Sequence, residues 1–212
     1  MIMDQNLRKD KILESAKDVF IRNGIKSSTI GEIAIEAGIG KPILYQYFPG
    51  KNEILEELIR REVENLKNSL TKGIHNDDNP LIKMAHMWDN ALSFYEKDDF
   101  LMYLLRGNEL GLPPYMYNQC LLEIEGFVVN LIESIFKEAI EHDLFVKIDS
   151  HVAAYISYKI YQACTYSKTD TIGNITTKQI MQKVLEIMGA GLLNQKLDIS
   201  QLLIDNKITQ KV

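Results

Sequence analysis

Apolar residues recur at three- and four-residue spacing along most of this chain, and no convincing period-2 run interrupts them. Such spacing lines one face of a 3.6-residue helix, whereas a half-buried strand needs strict alternation. Proline and glycine are scarce, 5 and 12 among 212 residues, and they fall in clusters that mark segment ends. The chain therefore reads as all-α.

The first helix is expected over about residues 7–23. There Ile12, Ala16, Val19 and Phe20 form one apolar stripe, and Gly24 suits the left-handed position that follows a helix. Thr29-Ile30-Gly31-Glu32 has the spacing of a capping box, so a second helix starts after Thr29 and runs to about Ala37. Gly38-Ile39-Gly40 makes a tight turn. Residues 41–48 form a short third helix, with Pro42 tolerated in its first turn, and Pro49-Gly50 stops it. A fourth helix covers about 51–72. Asn76-Asp77-Asp78-Asn79-Pro80 is the clearest break. Further helices are expected at about 80–96, 99–107, 114–142, 150–167 and 176–194, with a short one near 198–205. Gly111-Leu112-Pro113-Pro114 and Gly173-Asn174 separate some of them.

Composition removes several function classes. A chain of this length buries about 70% of its unfolded surface, so it needs no disulfide or metal staple. No apolar run reaches the roughly 18–20 residues of a membrane span. The N-terminus lacks the apolar core of a signal peptide, so a cytoplasmic location and no membrane partner are expected. Cys120 and Cys164 are too few and too isolated for a disulfide framework or a zinc site, and neither a metal nor a cofactor is expected. The net charge of −5 argues against indiscriminate coating of nucleic acid. The charge is uneven, however: residues 1–51 carry a balance of +2 and residues 52–212 one of −7. A locally basic N-terminal module suits a small anionic contact surface.

Residues 29–48, read as helix, glycine turn and short helix, have the helix-turn-helix order, in which the second helix enters the major groove. Ile33, Ala34 and Ala37 form a small apolar underside, Ile39 plugs the turn, and Leu44 and Phe48 anchor the second helix on Val19 and Phe20. That leaves Lys41, Pro42, Ile43, Tyr45, Gln46 and Tyr47 on or near the outer side. The pattern from Ile12 to Leu55 is contiguous. It runs Ile12-Leu13, Ala16, Phe20 and Gly24, then Ser28-Thr29-Ile30, Ile33-Ala34 and Ala37-Gly38-Ile39, then Lys41, Leu44-Tyr45, Tyr47-Phe48, Lys51 and Ile54-Leu55. It resembles the DNA-binding domain of the TetR (tetracycline-repressor-like) family.

The resemblance implies a three-helix DNA-binding head over residues 1–51 and a helical effector-binding and dimerisation body over 52–212, connected by the helix at about 51–72. It implies double-stranded operator DNA as a partner. Lys41 and Pro42 then open the recognition helix, Ile43, Gln46 and Tyr47 face the groove, and Tyr45, Lys51 and Thr29 lie at backbone phosphates. Two departures affect base preference. Ile43 replaces the Ser or Thr frequent there, and can touch a thymine methyl but cannot hydrogen-bond a base. Gly31 stands where a basic residue is frequent, so one link to a phosphate is expected to be missing.

In the body, periodicity alone describes an ordinary core. The resemblance implies a cavity for a small apolar or amphipathic effector, and the methionine- and aromatic-rich segments suit one, because thioethers repack easily. Its expected lining is Met84, Trp88, Tyr103, Cys120, Phe127, Tyr158 and Gln162, with Gln162, Glu123 and Asn108 available to orient a ligand. Two stripes could serve a homodimer: Val152, Ile156, Ile160 and Ala163 in 150–167, and Ile180, Val184, Ile187 and Gly191 in 176–194. Paired across a two-fold axis, these helices make a four-helix bundle, although an intramolecular core would use the same stripes. Enzymatic constellations are weak. The four histidines are scattered, and Ser134, Glu138 and His142 at four-residue spacing lack a nucleophile turn. The leading expectation is a homodimeric, ligand-responsive transcriptional regulator, a repressor released from a palindromic operator by its effector. The alternatives are a DNA-binding regulator without an effector, or a helical binding module or enzyme that does not act on DNA.

Overall fold

The computed structural model describes residues 2–96, 100–165, 171–172 and 175–193. The helix expected near 198–205, Tyr166 and the Gly173-Asn174 break lie outside the described residues. Nine α-helices occupy the described part: α1 Ile2–Asn23, α2 Ile30–Glu36, α3 Lys41–Tyr47, α4 Lys51–Thr71, α5 Pro80–Tyr95, α6 Phe100–Leu105, α7 Pro114–Glu141, α8 Ser150–Thr165 and α9 Thr177–Leu192. The fold is all-α as expected, with one addition. Strands β1 (Thr171–Ile172) and β2 (Ile175–Thr176) pair antiparallel just before α9. Two residues per strand are too few to leave a period-2 signature.

Local chemistry sets the helix ends. The capping box at Thr29 is formed: Glu32 N–H donates to Thr29 Oγ1, and the Glu32 carboxylate accepts from Thr29 N–H at 2.7 Å. Thr176 and Gln179 make the same device at the start of α9. Asn79 caps α5 through Leu81 N–H, with Pro80 as its first residue. Gly24 (φ +75°) and Gly38 (φ +67°) take the left-handed conformation after α1 and α2, where a side chain would be strained.

The head is a three-helix unit around Ile12, Ala16, Val19, Phe20, Ile33, Leu44 and Phe48, all buried. Its core continues without a break across residue 51 into α4, α6 and the first half of α7. A second cluster joins α5, α7 and α8 around Phe136, Phe145 and Tyr158. The side of α8 bearing Val152 and Ile156 is left out of both clusters, each of these residues being 51% exposed.

Candidate functional site

The outward face of α3 follows from its inward one. Leu44 is fully buried and Phe48 nearly so, and this pair pins the seven-residue helix to the head core. Lys41, Pro42, Ile43, Tyr45 and Gln46 are consequently exposed. Tyr47 differs, being half-buried against the head core with only part of its ring available. Gln46 and Tyr47 line a shallow recess with Asn6 and Lys9 of α1.

Two residues expected at phosphates are already engaged. The Lys51 ammonium donates to the carbonyls of Ile25 (2.9 Å), Ser28 (2.8 Å) and Lys26 (3.4 Å). It thereby ties the α1–α2 connection to the start of α4, and all three of its donors face carbonyls. The Thr29 hydroxyl donates to Glu32 Oε2 at 2.8 Å. These Thr29 hydrogen bonds, from hydroxyl and backbone alike, hold the Glu32 carboxyl below its ordinary pKa. Sequence reasoning missed the Lys51 role because the three carbonyls lie 23 to 26 residues away in the chain.

The body contains a small apolar cavity of about 40 Å³ lined from α4, α5, α6, α7 and α8. Of the seven residues expected to line it, Trp88 and Tyr158 do. The other five lie elsewhere. Cys120 lines a separate open cleft with Glu56, Arg60 and Tyr115, and burial pushes its thiol up to about 12, which leaves it unreactive. Met84 packs on the second core cluster and Tyr103 on the first. The Phe127 ring lies under the Lys67 ammonium at 5.7 Å. Gln162 accepts from Lys159.

The physical reason is helix phase. On α5 the cavity face is Met87, Trp88, Ala91 and Phe94, and on α7 it is Ile124, Val128, Leu131 and Ile132. An error of one residue in phase turns a side chain about 100° away. The polar groups expected to orient a ligand are also occupied outside the cavity. Glu123 pairs with Lys67 at 2.7 Å, and Asn108 exchanges side-chain hydrogen bonds with the Leu112 backbone. Tyr161, which lines the cavity, donates its hydroxyl to Ala91 O at 3.1 Å, and burial raises its pKa.

The spaced trio on α7 does not assemble. Ser134 donates to the Leu131 carbonyl, and both Glu138 oxygens accept from the buried Lys83 ammonium. Among the described residues, no group of histidine, cysteine and carboxylate side chains has the geometry of a metal site. No described helix is long and apolar enough to cross a membrane.

This head, with a short recognition-type helix presented on a helical body, has the architecture of a helix-turn-helix regulator. Residues 12–58 match the family model of the bacterial regulatory proteins of the tetR family. That segment, the head and the start of α4, is thus of the TetR type. It is 26% identical over 119 residues to the HTH-type transcriptional activator FasR of Mycolicibacterium smegmatis, a match covering 56% of this chain and 54% of FasR. The chain thus spans about half the length of that relative. Among solved structures it resembles the regulator FadR from Bacillus subtilis in complex with stearoyl-CoA, at TM-score 0.67 and 19% identity, covering 85% of this chain and 97% of that one. It also resembles a TetR regulator from Haloarcula marismortui, at TM-score 0.73 and 14% identity, covering 89% and 100%. At these identities the structural likeness is one of fold.

Proposed function

We propose that the protein is a homodimeric transcriptional repressor that binds a palindromic operator through α3 and is released by a small apolar or amphipathic effector. The observation that carries this reading is the exposed row Lys41, Pro42, Ile43, Tyr45 and Gln46 on a short helix held rigidly by Leu44 and Phe48. In this reading Gln46 and Ile43 meet base edges, Tyr47 offers its exposed rim, and Tyr45 and Lys41 meet phosphates. Thr29 and Lys51 keep their internal partners and orient the head. The partly exposed stripes of α8 and α9 pair across the two-fold axis.

The effector class follows from the cavity, whose lining is apolar on all sides. FadR, which shares the fold, was solved with stearoyl-CoA, and a long acyl chain is the ligand proposed here. Ligand pockets commonly enclose about 300–1,000 Å³, so a space of about 40 Å³ must open by parting its walls. The same small volume favours the second reading, a DNA-binding regulator without an effector.

The test is selection of duplexes from a randomised pool by the purified chain. It is followed by titration of the selected duplex with and without stearoyl-CoA and free stearate. A palindromic consensus, weakened by acyl ligand, is the expected result. Gln46→Ala should change preference at one half-site position by about 1–3 kcal/mol. Failure to enrich any sequence would sink the DNA-binding reading. Enrichment with no response to any acyl ligand would support the effector-free one.

A further inference from the structure

Gly31 lies in the first turn of α2, facing the start of α3. A Cβ built on it would sit 2.8 Å from Lys41 Cε, 3.0 Å from Lys41 Nζ and 3.7 Å from Thr29 Oγ1. The first distance is shorter than a Cβ tolerates and the second is tight, so the end of the Lys41 chain occupies the space where any other residue's side chain would begin. Lys41 is exposed and opens α3, yet its side chain folds back onto α2 instead of extending from its own helix. Among the described residues its ammonium has no carboxylate or carbonyl partner. A cation without an internal partner is available to an external anion.

From the sequence, Gly31 reads as the absence of a phosphate-binding side chain. We propose instead that Gly31 is a positioning residue for DNA binding. By lacking a side chain it seats the Lys41 ammonium over the first turn of α2, beside Thr29, where the cation meets a backbone phosphate rather than a base edge. The inference rests on the DNA-binding reading above. The charge comes from α3 but acts at the position of residue 31. Lys41 then contributes affinity equally to all sequences, and base reading is left to Ile43, Gln46 and Tyr47.

The experiment uses the full chain and the duplex it selects from a randomised pool. Gly31→Ala obstructs only the flexible end of a lysine chain and replaces glycine by a better helix former, so its melting temperature should equal or exceed the parent's. Its DNA affinity should nevertheless fall several-fold. Each phosphate neutralised contributes about −0.9 to the slope of log K against log salt, so two displaced lysines in a dimer should flatten that slope by about 2. Lys41→Met should show the same loss, and Gly31→Ala combined with Lys41→Met should be no worse than Lys41→Met alone. Gly31→Lys combined with Lys41→Met returns a cation to the same place and should restore the slope. Base preferences should be unchanged throughout.

Parental affinity and slope in Gly31→Ala would overturn the role of Gly31, as would additive losses in the double variant. A base-specific change in Lys41→Met would place that lysine in the groove and overturn the proposal. A parent that selects no duplex would overturn the DNA-binding reading and this role with it. A parent that binds while Gly31→Ala matches it would overturn the role of Gly31 alone.

Discussion

The backbone N–H of Ile25, in the connection leading to the recognition motif, donates to the carbonyl of Leu110 at 2.9 Å, in the segment after α6. The head is therefore held to the body at a second place besides α4. Nearby, the Phe20 and Phe100 rings lie 6.3 Å apart, joining α1 to α6. Met102 and Leu105 of the same α6 line the apolar cavity. This one short helix thus carries both a cavity wall and the seat of the head, so a ligand that displaces α6 should move α1 with it. Phe100→Leu should loosen this connection at a stability cost of about 1 kcal/mol. In the proposed function, effector and operator should weaken each other by one common factor, of about 5–150-fold. In Phe100→Leu that factor should shrink while operator affinity without effector stays near the parent's. Titration calorimetry of effector with and without operator measures it, and an unchanged factor would remove this route.

Lys51 separates a structural from a contact role. In Lys51→Met, three carbonyls lose a charged donor. Hydrogen bonds to a charged group are worth about 1.5–3 kcal/mol, and a loss of this order should appear as a lower melting temperature of the chain. If the variant melts like the parent but binds DNA with a flatter salt dependence, the ammonium leaves its carbonyls for a phosphate in the complex.

The contrast between head and body in what the sequence discloses has a physical basis. In the head, each structural decision is local. Thr29 and Glu32 are three residues apart, Leu44 and Phe48 one turn apart, and Gly24 and Gly38 stand at their own turns, so the elements and the exposed face of α3 are readable. The positions of the Lys51 and Lys41 side chains depend on groups brought together by the tertiary fold, and they are not. In the body the helices are legible, but cavity lining depends on rotation about each helix axis. Long helices such as α5 and α7 are apolar over a wide arc, with Met84, Met87, Trp88 and Ala91 all plausible core residues. Trp88 and Tyr158 line the cavity, whereas Phe127 and Val128, adjacent in sequence, face different surroundings.

Glu57 predicts a pH dependence. Hydrogen bonds from Arg60 and then Lys9 lower its pKa from 4.5 to about 2, and the Lys9 bond of 2.6 Å ties α1 to α4. A carboxyl with a depressed folded-state pKa contributes stability that is full above its unfolded pKa and is lost as pH falls toward the folded one. The contribution should therefore be complete above about pH 5 and disappear between about 4.5 and 2. Glu57→Gln should melt below the parent at about pH 6, with the gap closing as pH approaches about 3. A gap independent of pH over that interval would assign the loss to packing instead of charge.

The partly exposed stripes of α8 and α9 predict an oligomeric state. Ile187 of α9 is 72% exposed in the isolated chain, where a surface substitution usually costs within about 0.5 kcal/mol. Ile187→Asp should keep its helical circular dichroism. If the stripe is the dimer seam, the substitution buries unpaired carboxylates on both sides and should yield monomers in light scattering. Operator binding should fall with dimerisation, since each half-site would then be held by a single head. A variant that remains dimeric would place the interface elsewhere.

Trp88 supplies the readout for the cavity. It is the only tryptophan of the chain, lines the cavity and has its ring centroid 6.1 Å from that of Tyr161 on α8. Ligand pockets commonly enclose about 300–1,000 Å³, so a space of about 40 Å³ cannot accept an acyl chain while α5 and α8 keep this separation. Entry must move Trp88 relative to Tyr161, and the tryptophan emission should shift as a saturable function of ligand concentration. Val128 faces the same space from α7, and Val128→Phe fills it. Overpacking of this kind costs about 1–3 kcal/mol, which leaves a folded chain to compare. The filled variant should bind operator like the parent, give no emission shift and no longer respond to effector. A full emission response in Val128→Phe would place the ligand outside this cavity, with the open cleft beside Cys120 and Arg60 as the next site to test.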